Sequence, residues 1–364
     1  MRKISMLSAL LLTIAGLAVS TPASAITCGA TVTGDAYLTH DLTCASGITV
    51  TGDARVDLRG HRLSGPGASS GAFGITVGGF GVVTVRRGRL TGWGVGIAGR
   101  PNEYPDDNTV FTGSVAVDRV TFSANGTGID GSGVLPSTAR SREFVVTRSR
   151  FTGNGSGAFG SWARIAVRKS TFTANGQGVT GTDASLQVSN STLVRNGIAL
   201  NCAEAGCTFD HNSVLDNQVG IKSWNFATAI VTDSRLQGND VAYTNLNYDL
   251  SKLTGNRFIN NGTGLELTYA SRITVTRNIF RGNRAAVTDT VVPDPYDDET
   301  HPTLIGNRLS RNGDAINLTI HVDLRDNSAT RNTGWGIHAP AATDLGGNTA
   351  RRNGNSPQCT GVSC

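Results

Sequence analysis

The sequence predicts an all-β fold, a single-stranded parallel β-helix. An asparagine repeat, a strand-like alternation of side chains and the lack of a helical apolar stripe all indicate it. Asparagine recurs at intervals of 20 to 29 residues, most of them 21 or 22, within the pattern F/L-x-x-N-G-x-G-I/V/L. A period of this size is typical of a solenoid that makes one coil per repeat. The recurring asparagines are Asn125, Asn154, Asn175, Asn196, Asn217, Asn239, Asn261, Asn283, Asn312, Asn332 and Asn353.

Within each repeat, apolar and polar side chains alternate, as at 165–167, 186–188 and 273–275. A period of two predicts strands, and the spacing of leucine-rich repeats is absent. Each strand would pair with its counterpart one coil away at about 4.8 Å. Because parallel crossovers are right-handed, we expect a right-handed solenoid of about twelve to thirteen coils.

The recurring asparagine marks a tight corner. Asparagine tolerates the left-handed backbone that such a corner requires, and amides stacked coil on coil can form a hydrogen-bonded ladder. We therefore assign these residues a structural role. Counting from the asparagine, position +4 is apolar in most coils and should point inward, so position +5 should point outward. The +5 residues are Asp130, Phe159, Thr180, Asn201, Lys222, Thr244, Glu266, Thr288 and Asn317.

Residues 1–25 have the pattern of a signal peptide. Arg2 and Lys3 precede an apolar run at 7–19, and Ala23-Ser24-Ala25 fits a cleavage site. No second long apolar segment follows, so we predict no membrane span. The expected product is a secreted, extracellular protein with one β-helix domain at 26–364.

Six cysteines fall in three close pairs. In an exported chain this spacing predicts local disulfides rather than a metal site, because the pairs lie far apart along a linear solenoid. The predicted bonds are Cys28–Cys44, Cys202–Cys207 and Cys359–Cys364.

The net charge of +5 is modest for 364 residues. Arginine often precedes the corner asparagine, as at Arg195, Arg311, Arg331 and Arg352. This pattern fits either a solvated positive edge or a surface that attracts an acidic polymer. No nucleic-acid motif occurs, so the expected partner is an extracellular polysaccharide, bound by a monomer.

The ends of the chain carry a resemblance to a known family. Cys28-Gly29, 31–33, 42–44 and 56–61 resemble the N-terminal cap of secreted right-handed parallel β-helix proteins of the pectate-lyase-like superfamily, of the type abundant in actinobacteria. The tail from 347 to Cys364 is similar to the ending of that group. The resemblance implies a right-handed β-helix over nearly all of the mature chain.

The resemblance does not select one function, because the superfamily includes lyases, hydrolases, epimerases and proteins without known activity. The motifs of polygalacturonase-type hydrolases are absent. Alginate C5-epimerases carry D-P-H-D, and Asp294-Pro295-Tyr296-Asp297 is similar but has tyrosine in place of histidine.

Aromatic residues and inserted loops are concentrated in the part of each coil that follows position +4. This location suggests a binding site there. Tyrosine and tryptophan rings suit sugar faces, and loops inserted at 99–113, 131–142 and 289–303 would stand as walls around a groove. The substrate-binding residues predicted there are Trp162, Asn201, Trp224, Asn225, Tyr248, Tyr269 and His301.

The leading functional hypothesis is a polysaccharide lyase that acts on a uronic acid polymer. In the superfamily that this chain resembles, lysine or arginine often acts as base and calcium as neutraliser of the sugar carboxylate. Lys222 is the candidate base, and Asn201 or Asn225 could stabilise the carboxylate charge. Calcium is the one candidate cofactor, with Asp294, Asp297 and Asp298 as weak candidate ligands.

Three alternatives stay open, and a C5-epimerase is one of them. A glycoside hydrolase would use two carboxylates, drawn from Glu266, Asp289 and Asp249. A binding protein would hold a glycan in the same groove without cleaving it.

Overall fold

The computed structural model describes residues 23–79, 81–99, 113–132, 143–246, 250–268, 272–290 and 301–364. Within these ranges the chain forms strands and turns and no helix, so no helix there could cross a membrane. The strands pair in parallel with their counterparts one coil away. The predicted all-β, right-handed parallel β-helix is confirmed.

Each coil contributes to up to three rows of strands. Row 1 is a separate sheet of fifteen strands, and rows 2 and 3 together form a sheet of 27 strands. The row 1 strands are Thr31–Val32, Ile48–Thr51, Phe73–Gly78, Val95–Gly99, Thr127–Asp130, Ser156–Ser161, Gln177–Thr182, Ile198–Ala203, Val219–Trp224, Val241–Leu246, Thr263–Thr268, Ala285–Thr290, Asp314–Asn317, Ile337–His338 and Cys359–Thr360.

Rows 2 and 3 meet at a corner, which Val82–Thr91 and Ser114–Ser123 cross as continuous strands. The other strands of row 2 are Ser24–Ala25, Asp35–Tyr37, Ala54–Asp57, Glu143–Thr147, Arg164–Arg168, Ser185–Ser189, Gly206–Asp210, Thr228–Thr232, Lys252–Thr254, Thr274–Thr276, Thr303–Ile305, Asp323–Arg325 and Thr343–Asp344. The other strands of row 3 are Leu42–Thr43, Arg62–Ser64, Arg150–Thr152, Thr171–Thr173, Thr192–Val194, Ser213–Leu215, Arg235–Gln237, Arg257–Ile259, Ile279–Arg281, Arg308–Ser310, Ser328–Thr330 and Thr349–Arg351.

The fifteen strands of row 1 exceed the twelve to thirteen coils expected from the sequence. Eleven of these strands follow a recurring asparagine, and four lie before Asn125, where the corner has another sequence. In the coil before Asn125, Trp93 occupies this corner, and its backbone N–H donates to Asn125 Oδ1 at 2.9 Å. The number of coils expected from the sequence was therefore too low, because it relied on the asparagine repeat.

The asparagine ladder between rows 3 and 1 is present and buried. Asn175 shows the repeated pattern: its Nδ2 donates to Asn196 Oδ1 at 3.0 Å and to the carbonyl oxygen of Phe151 at 3.2 Å. Its backbone N–H also donates to Asn196 Oδ1. Buried polar groups must be hydrogen-bonded to be tolerated, and here each amide satisfies its neighbour. The structural role of the asparagines is supported by this geometry.

The left-handed residue, however, is the one before the asparagine. Positive φ angles fall on Ala174, Arg195 and Asp216, at 53°, 55° and 54°, and not on Asn175, Asn196 or Asn217. The expectation that asparagine itself takes the left-handed conformation was wrong. The asparagine amide is buried inside the corner, where it forms the ladder. The left-handed turn is made by the preceding residue, which faces solvent.

A second polar ladder, not predicted from the sequence, lines the corner between rows 2 and 3. Its members accept hydrogen bonds from the backbone N–H one coil earlier, as Ser170 Oγ does from Ser149 at 3.1 Å and Asn278 Oδ1 from Asn256 at 2.8 Å. Serine and asparagine alternate irregularly here, which hides the period. The members are Ser149, Ser170, Ser191, Asn212, Ser234, Asn256, Asn278, Asn307, Asn327 and Asn348.

The interior of the solenoid is a stack of apolar side chains. Phe122, Phe151 and Phe172 lie ring on ring, with centroids 4.6 and 4.4 Å apart, and each is fully buried. The three predicted disulfides, Cys28–Cys44, Cys202–Cys207 and Cys359–Cys364, are confirmed. The second of these is buried between rows 1 and 2 of one coil.

Candidate functional site

The outward +5 positions form one continuous line on row 1. Asn201 lies beside Lys222, Lys222 beside Thr244, and Thr244 beside Glu266, each on a successive coil. Because paired strands lie about 4.8 Å apart, the Cα atoms of Lys222 and Glu266 are separated by about 10 Å. We call this line of side chains the outer row.

Lys222, Trp224 and Asn201 form a connected group on the outer row and beside it. The indole Nε1 of Trp224 donates to Asn201 Oδ1 at 3.1 Å. Lys222 Nζ lies 5.1 Å from the centre of the Trp224 ring, within the range of a cation–π contact. All three side chains are partly exposed. An aromatic face, an amide and an ammonium therefore converge on one patch of row 1.

The buried disulfide lies directly behind this patch. Cys202 is in register with Ser223, the inward residue between Lys222 and Trp224. The Cys202–Cys207 bond ties the row 1 strand to the row 2 strand within the coil that carries Asn201. We infer that the patch sits on a floor whose two sheets are covalently held together.

The turn that follows row 1 carries two further predicted binding residues, Asn225 and Trp162. Asn225 Nδ2 donates to Glu204 Oε1 at 2.6 Å, which joins two neighbouring coils. Trp162 occupies the equivalent turn three coils earlier and is 45% exposed. Phe226, which the sequence reasoning missed, is 68% exposed beside Asn225. Its signal in the sequence was only its place next to Trp224.

The carboxylates proposed for hydrolysis do not form a free pair among the described residues. Glu266 is partly exposed, and its Oε1 accepts a hydrogen bond from Thr290 Oγ1 at 3.1 Å. Asp289 Oδ2 accepts from the backbone N–H groups of Thr319 and Ile320 at 2.6 and 2.8 Å, and from Thr319 Oγ1 at 2.8 Å. Asp289 thus holds the turn after the next row 1 strand. Its carboxylate is occupied by these hydrogen bonds and is not free to act on a substrate.

His301 lies just before row 2, and its ring stacks on His321 with centroids 3.7 Å apart. His321 Nε2 is also within 2.7 Å of Thr343 Oγ1. The remaining predicted residues lie outside the described part of the chain: Asp249, Tyr248, Tyr269, Asp294, Asp297 and Asp298. Most of the three predicted loop walls lies outside it as well.

The N-terminal end of the outer row borders a cavity of about 320 Å³. Asp130 contributes its wall together with Phe73, Val95 and Ala98, and Ala98 is in register with Asp130. Asp130 Oδ1 accepts from the backbone N–H of Ser132 at 2.9 Å. Sequence reasoning had placed Asp130 on the outer row but had not selected it as a site residue, because no motif surrounds it.

A separate cluster of titratable groups lies at the corner between rows 2 and 3. His211 Nδ1 is 2.8 Å from Asp210 Oδ2, and Thr232 Oγ1 donates to Asp210 Oδ1 at 2.5 Å. The bond from Thr232 and the contact with His211 lower the pKa of Asp210, and Asp210 raises that of His211. The side chains of Asp210, His211 and Asp233 place possible ligand atoms within 4.8 Å of one another.

These features define a parallel β-helix protein with a polar and aromatic outer face on one sheet. The family model described as periplasmic copper-binding protein (NosD) matches residues 106–294, just over half of the chain. The chain therefore belongs to the NosD family. No curated protein sequence is significantly similar to it.

Two solved structures are similar to most of the solenoid. The periplasmic alginate epimerase AlgG superposes with a TM-score of 0.58 at 16% identity, covering 84% of this chain and 78% of that chain. A point mutant of the same epimerase gives 0.59 at 17% identity, with the same coverage. At this identity the likeness establishes the shared β-helix fold, which the sequence resemblance implied. The narrower actinobacterial and pectate-lyase-like assignment stays a prediction.

Proposed function

We propose that the outer face of row 1 binds a uronic acid-containing polysaccharide and that the protein is a polysaccharide lyase with Lys222 as the base. The observation that carries this proposal is the convergence of Lys222, Trp224 and Asn201 on one partly exposed patch. A similarly folded protein is described as an alginate epimerase, and alginate is a uronic acid polymer, which supports the choice of substrate class.

Each member of the patch has a part in the reaction. The Trp224 ring offers a flat apolar surface for a sugar ring. Its bond to Asn201 Oδ1 leaves Asn201 Nδ2 as the donor that would stabilise charge growing on the sugar carboxylate. Asn225 suits that role less, because its Nδ2 already donates to the anionic Glu204.

The proposed step is a β-elimination. Lys222, in its uncharged form, takes the proton from the carbon that bears the carboxylate. The released electron pair forms a double bond to the neighbouring carbon, whose bond to the glycosidic oxygen breaks. The leaving oxygen takes a proton from water. An epimerase would share the first step and then return a proton to the opposite face of the same carbon.

Absorbance of the unsaturated product tests the lyase proposal. Purified protein should release ultraviolet-absorbing fragments from polygalacturonate or alginate. Lys222→Gln should abolish this release, whereas Lys252→Gln should preserve it, because Lys252 is an exposed lysine on row 2. Unimpaired cleavage by Lys222→Gln would reject the lysine as base. Shorter chains without absorbance would indicate hydrolysis, with Glu266 as one carboxylate.

A second candidate, glycan binding without turnover, is favoured by the contact of Lys222 with Trp224. A ring face attracts the charged ammonium, and a charged lysine would bind a sugar carboxylate rather than remove a proton. Retained binding without products or solvent hydrogen exchange at the sugar carbon would support this candidate. Exchange without cleavage would support an epimerase.

Copper, named in the family description, does not fit a closed site among the residues that the structure describes. Cu(I) prefers thiolate and thioether ligands, but all six cysteines form disulfides. The two methionines, Met1 and Met6, lie outside the described residues. The described residues therefore hold no free thiol and no thioether for copper.

The histidines do not make a copper site either. All six lie within the described ranges. The rings of His301 and His321 are inclined by only 24°, and because nitrogen lone pairs lie in the ring plane, nearly parallel rings do not converge on one ion. The group around His211 supplies a single imidazole and two carboxylates and is largely exposed.

Export and calcium remain proposals. Three disulfides fit an oxidising compartment, which is consistent with a secreted protein that has lost residues 1–25. Calcium bound by Asp294, Asp297 and Asp298 would neutralise the carboxylate of the sugar. Loss of activity in a chelator, restored by added calcium, would support it.

A further inference from the structure

The C-terminal part of row 3 is a strongly basic surface. It consists of five consecutive strands with the corner residue that follows each: 257–260, 279–282, 308–311, 328–331 and 349–352. These segments contain no aspartate or glutamate. We call this surface the arginine face. Its arginines are Arg257, Arg281, Arg308, Arg311, Arg331, Arg351 and Arg352, all of them exposed.

Three of these arginines form a vertical line. Arg311, Arg331 and Arg352 each take the left-handed corner position, with φ of 57°, 57° and 58°. They precede ladder asparagines that bond to one another on consecutive coils. Because stacked strands lie about 4.8 Å apart, like charges repeat at about that interval and repel one another.

Some arginines elsewhere on the solenoid are paired with acids. Arg86 and Arg87 both bind Asp57, and Arg148 binds Asp118. In the described part of the chain, no arginine of the arginine face makes an ion pair with a carboxylate. A row of unneutralised charges at a fixed repeat indicates that the counter-charge comes from another molecule.

From this we propose that the arginine face binds a linear anionic polysaccharide laid along the solenoid axis, with one sugar carboxylate near each coil. A guanidinium binds a carboxylate through two parallel hydrogen bonds. A line of charges across three coils fits a polymer better than a small anion. Ser310 and Thr330, which directly precede Arg311 and Arg331, are partly exposed and offer hydroxyls for sugar oxygens.

A carboxylate polymer fits this face better than a nucleic acid. Single-stranded nucleic acids are held by basic grooves with aromatic side chains on which bases stack. The aromatic residues of these five strands are Phe258 and Phe280, and both are fully buried in the core. The arginine face depends on the proposed function only for its substrate class, because it lies on row 3 and the outer row on row 1.

The test measures binding of the full chain to immobilised polygalacturonate and alginate over a series of salt concentrations. The variant Arg311→Asn/Arg331→Asn/Arg352→Asn removes the line of charges, and asparagine suits the left-handed corner. We expect roughly tenfold weaker binding and a shallower salt dependence, since screened charge contacts are lost. Arg195→Asn is the matched control: it changes the same corner position, between Ala174 and Asp216, and should bind as the unchanged protein does.

Thermal melting of both variants checks that the fold is kept. Equal affinity of the triple variant and the unchanged protein would overturn the proposal. Loss of single-stranded DNA binding with full retention of polyuronate binding would also overturn it, in favour of a nucleic acid. The salt-dependent binding lost in the triple variant reports on the arginine face, and product release reports on Lys222. Failure of the lyase proposal would therefore appear in product release and failure of this one in binding.

Discussion

The indole nitrogen of Trp224 donates a hydrogen bond of 3.1 Å to the side-chain oxygen of Asn201. The bond crosses from one coil to the next and orients an aromatic ring beside Lys222. It is the one direct side-chain hydrogen bond between two predicted substrate-binding residues in the described part of the chain.

Trp224→Phe should weaken substrate binding more than turnover. Phenylalanine keeps an apolar face but cannot donate to Asn201, so both side chains lose a fixed orientation. We expect KM to rise by about three- to tenfold, as for loss of one hydrogen bond, with kcat changed less. Trp335→Phe, near the C-terminal end of row 1, is the control and should have no effect. If the activity proves absent, glycan affinity replaces KM as the measurement.

Asn196→Ala should destabilise the β-helix by about 2–4 kcal/mol. The Asn196 amide donates to Asn217 Oδ1 and to the carbonyl oxygen of Phe172, and its Oδ1 accepts from Asn175. Alanine leaves these buried partners unsatisfied. Denaturant unfolding would measure the change, and the exposed Gln187→Ala should shift stability by less than about 0.5 kcal/mol. Equal stability of the two variants would contradict the structural role of the ladder.

Protonation of Asp57 at low pH should lower the stability of the fold. Burial alone would raise its pKa, but hydrogen bonds from Arg87, from the backbone of Arg59 and from Arg86 lower it to about 2. A lowered carboxyl pKa stabilises the fold above the unfolded value of 3.8, and this stability is lost as pH falls toward 2. Melting temperatures from pH 6 to pH 2 should therefore fall less steeply in Asp57→Asn. A parallel decline in both proteins would show that another group is responsible.

The His211 imidazole should titrate above its ordinary range. The hydrogen bond and charge of Asp210 raise its pKa, so its contribution to stability is present at low pH and lost as pH rises through the folded value. Nuclear magnetic resonance of the ring should show the raised pKa, and Asp210→Asn should bring it back toward 6.5. An unchanged titration in that variant would exclude the Asp210 contact as the cause. His211→Asn should keep the fold, because Asn190 occupies the same left-handed position one coil earlier.

Much of the fold and the alignment of the site could be predicted from the sequence. Asn201, Lys222 and Glu266 were placed on one line because their distance from the recurring asparagine is equal, and the strand register has them on that line. The three disulfides followed from close cysteine spacing. The second polar ladder, between rows 2 and 3, could not be recognised in the sequence. Its serines and asparagines make the same hydrogen bond but are not the same residue type.

The sequence by itself determined the coil. In a solenoid each residue contacts its counterpart one period away, so the repeat in space is also a repeat in the sequence. Only the tertiary structure decided what individual side chains do on that frame. Asp289 was expected to face substrate, yet it holds the turn at Thr319, 30 residues later. The seven arginines of the arginine face are scattered over 96 residues of sequence and share one surface only after the coils stack. The physical reason is that backbone pairing follows the period, whereas side-chain partners depend on which groups the neighbouring coils and inserted turns happen to present.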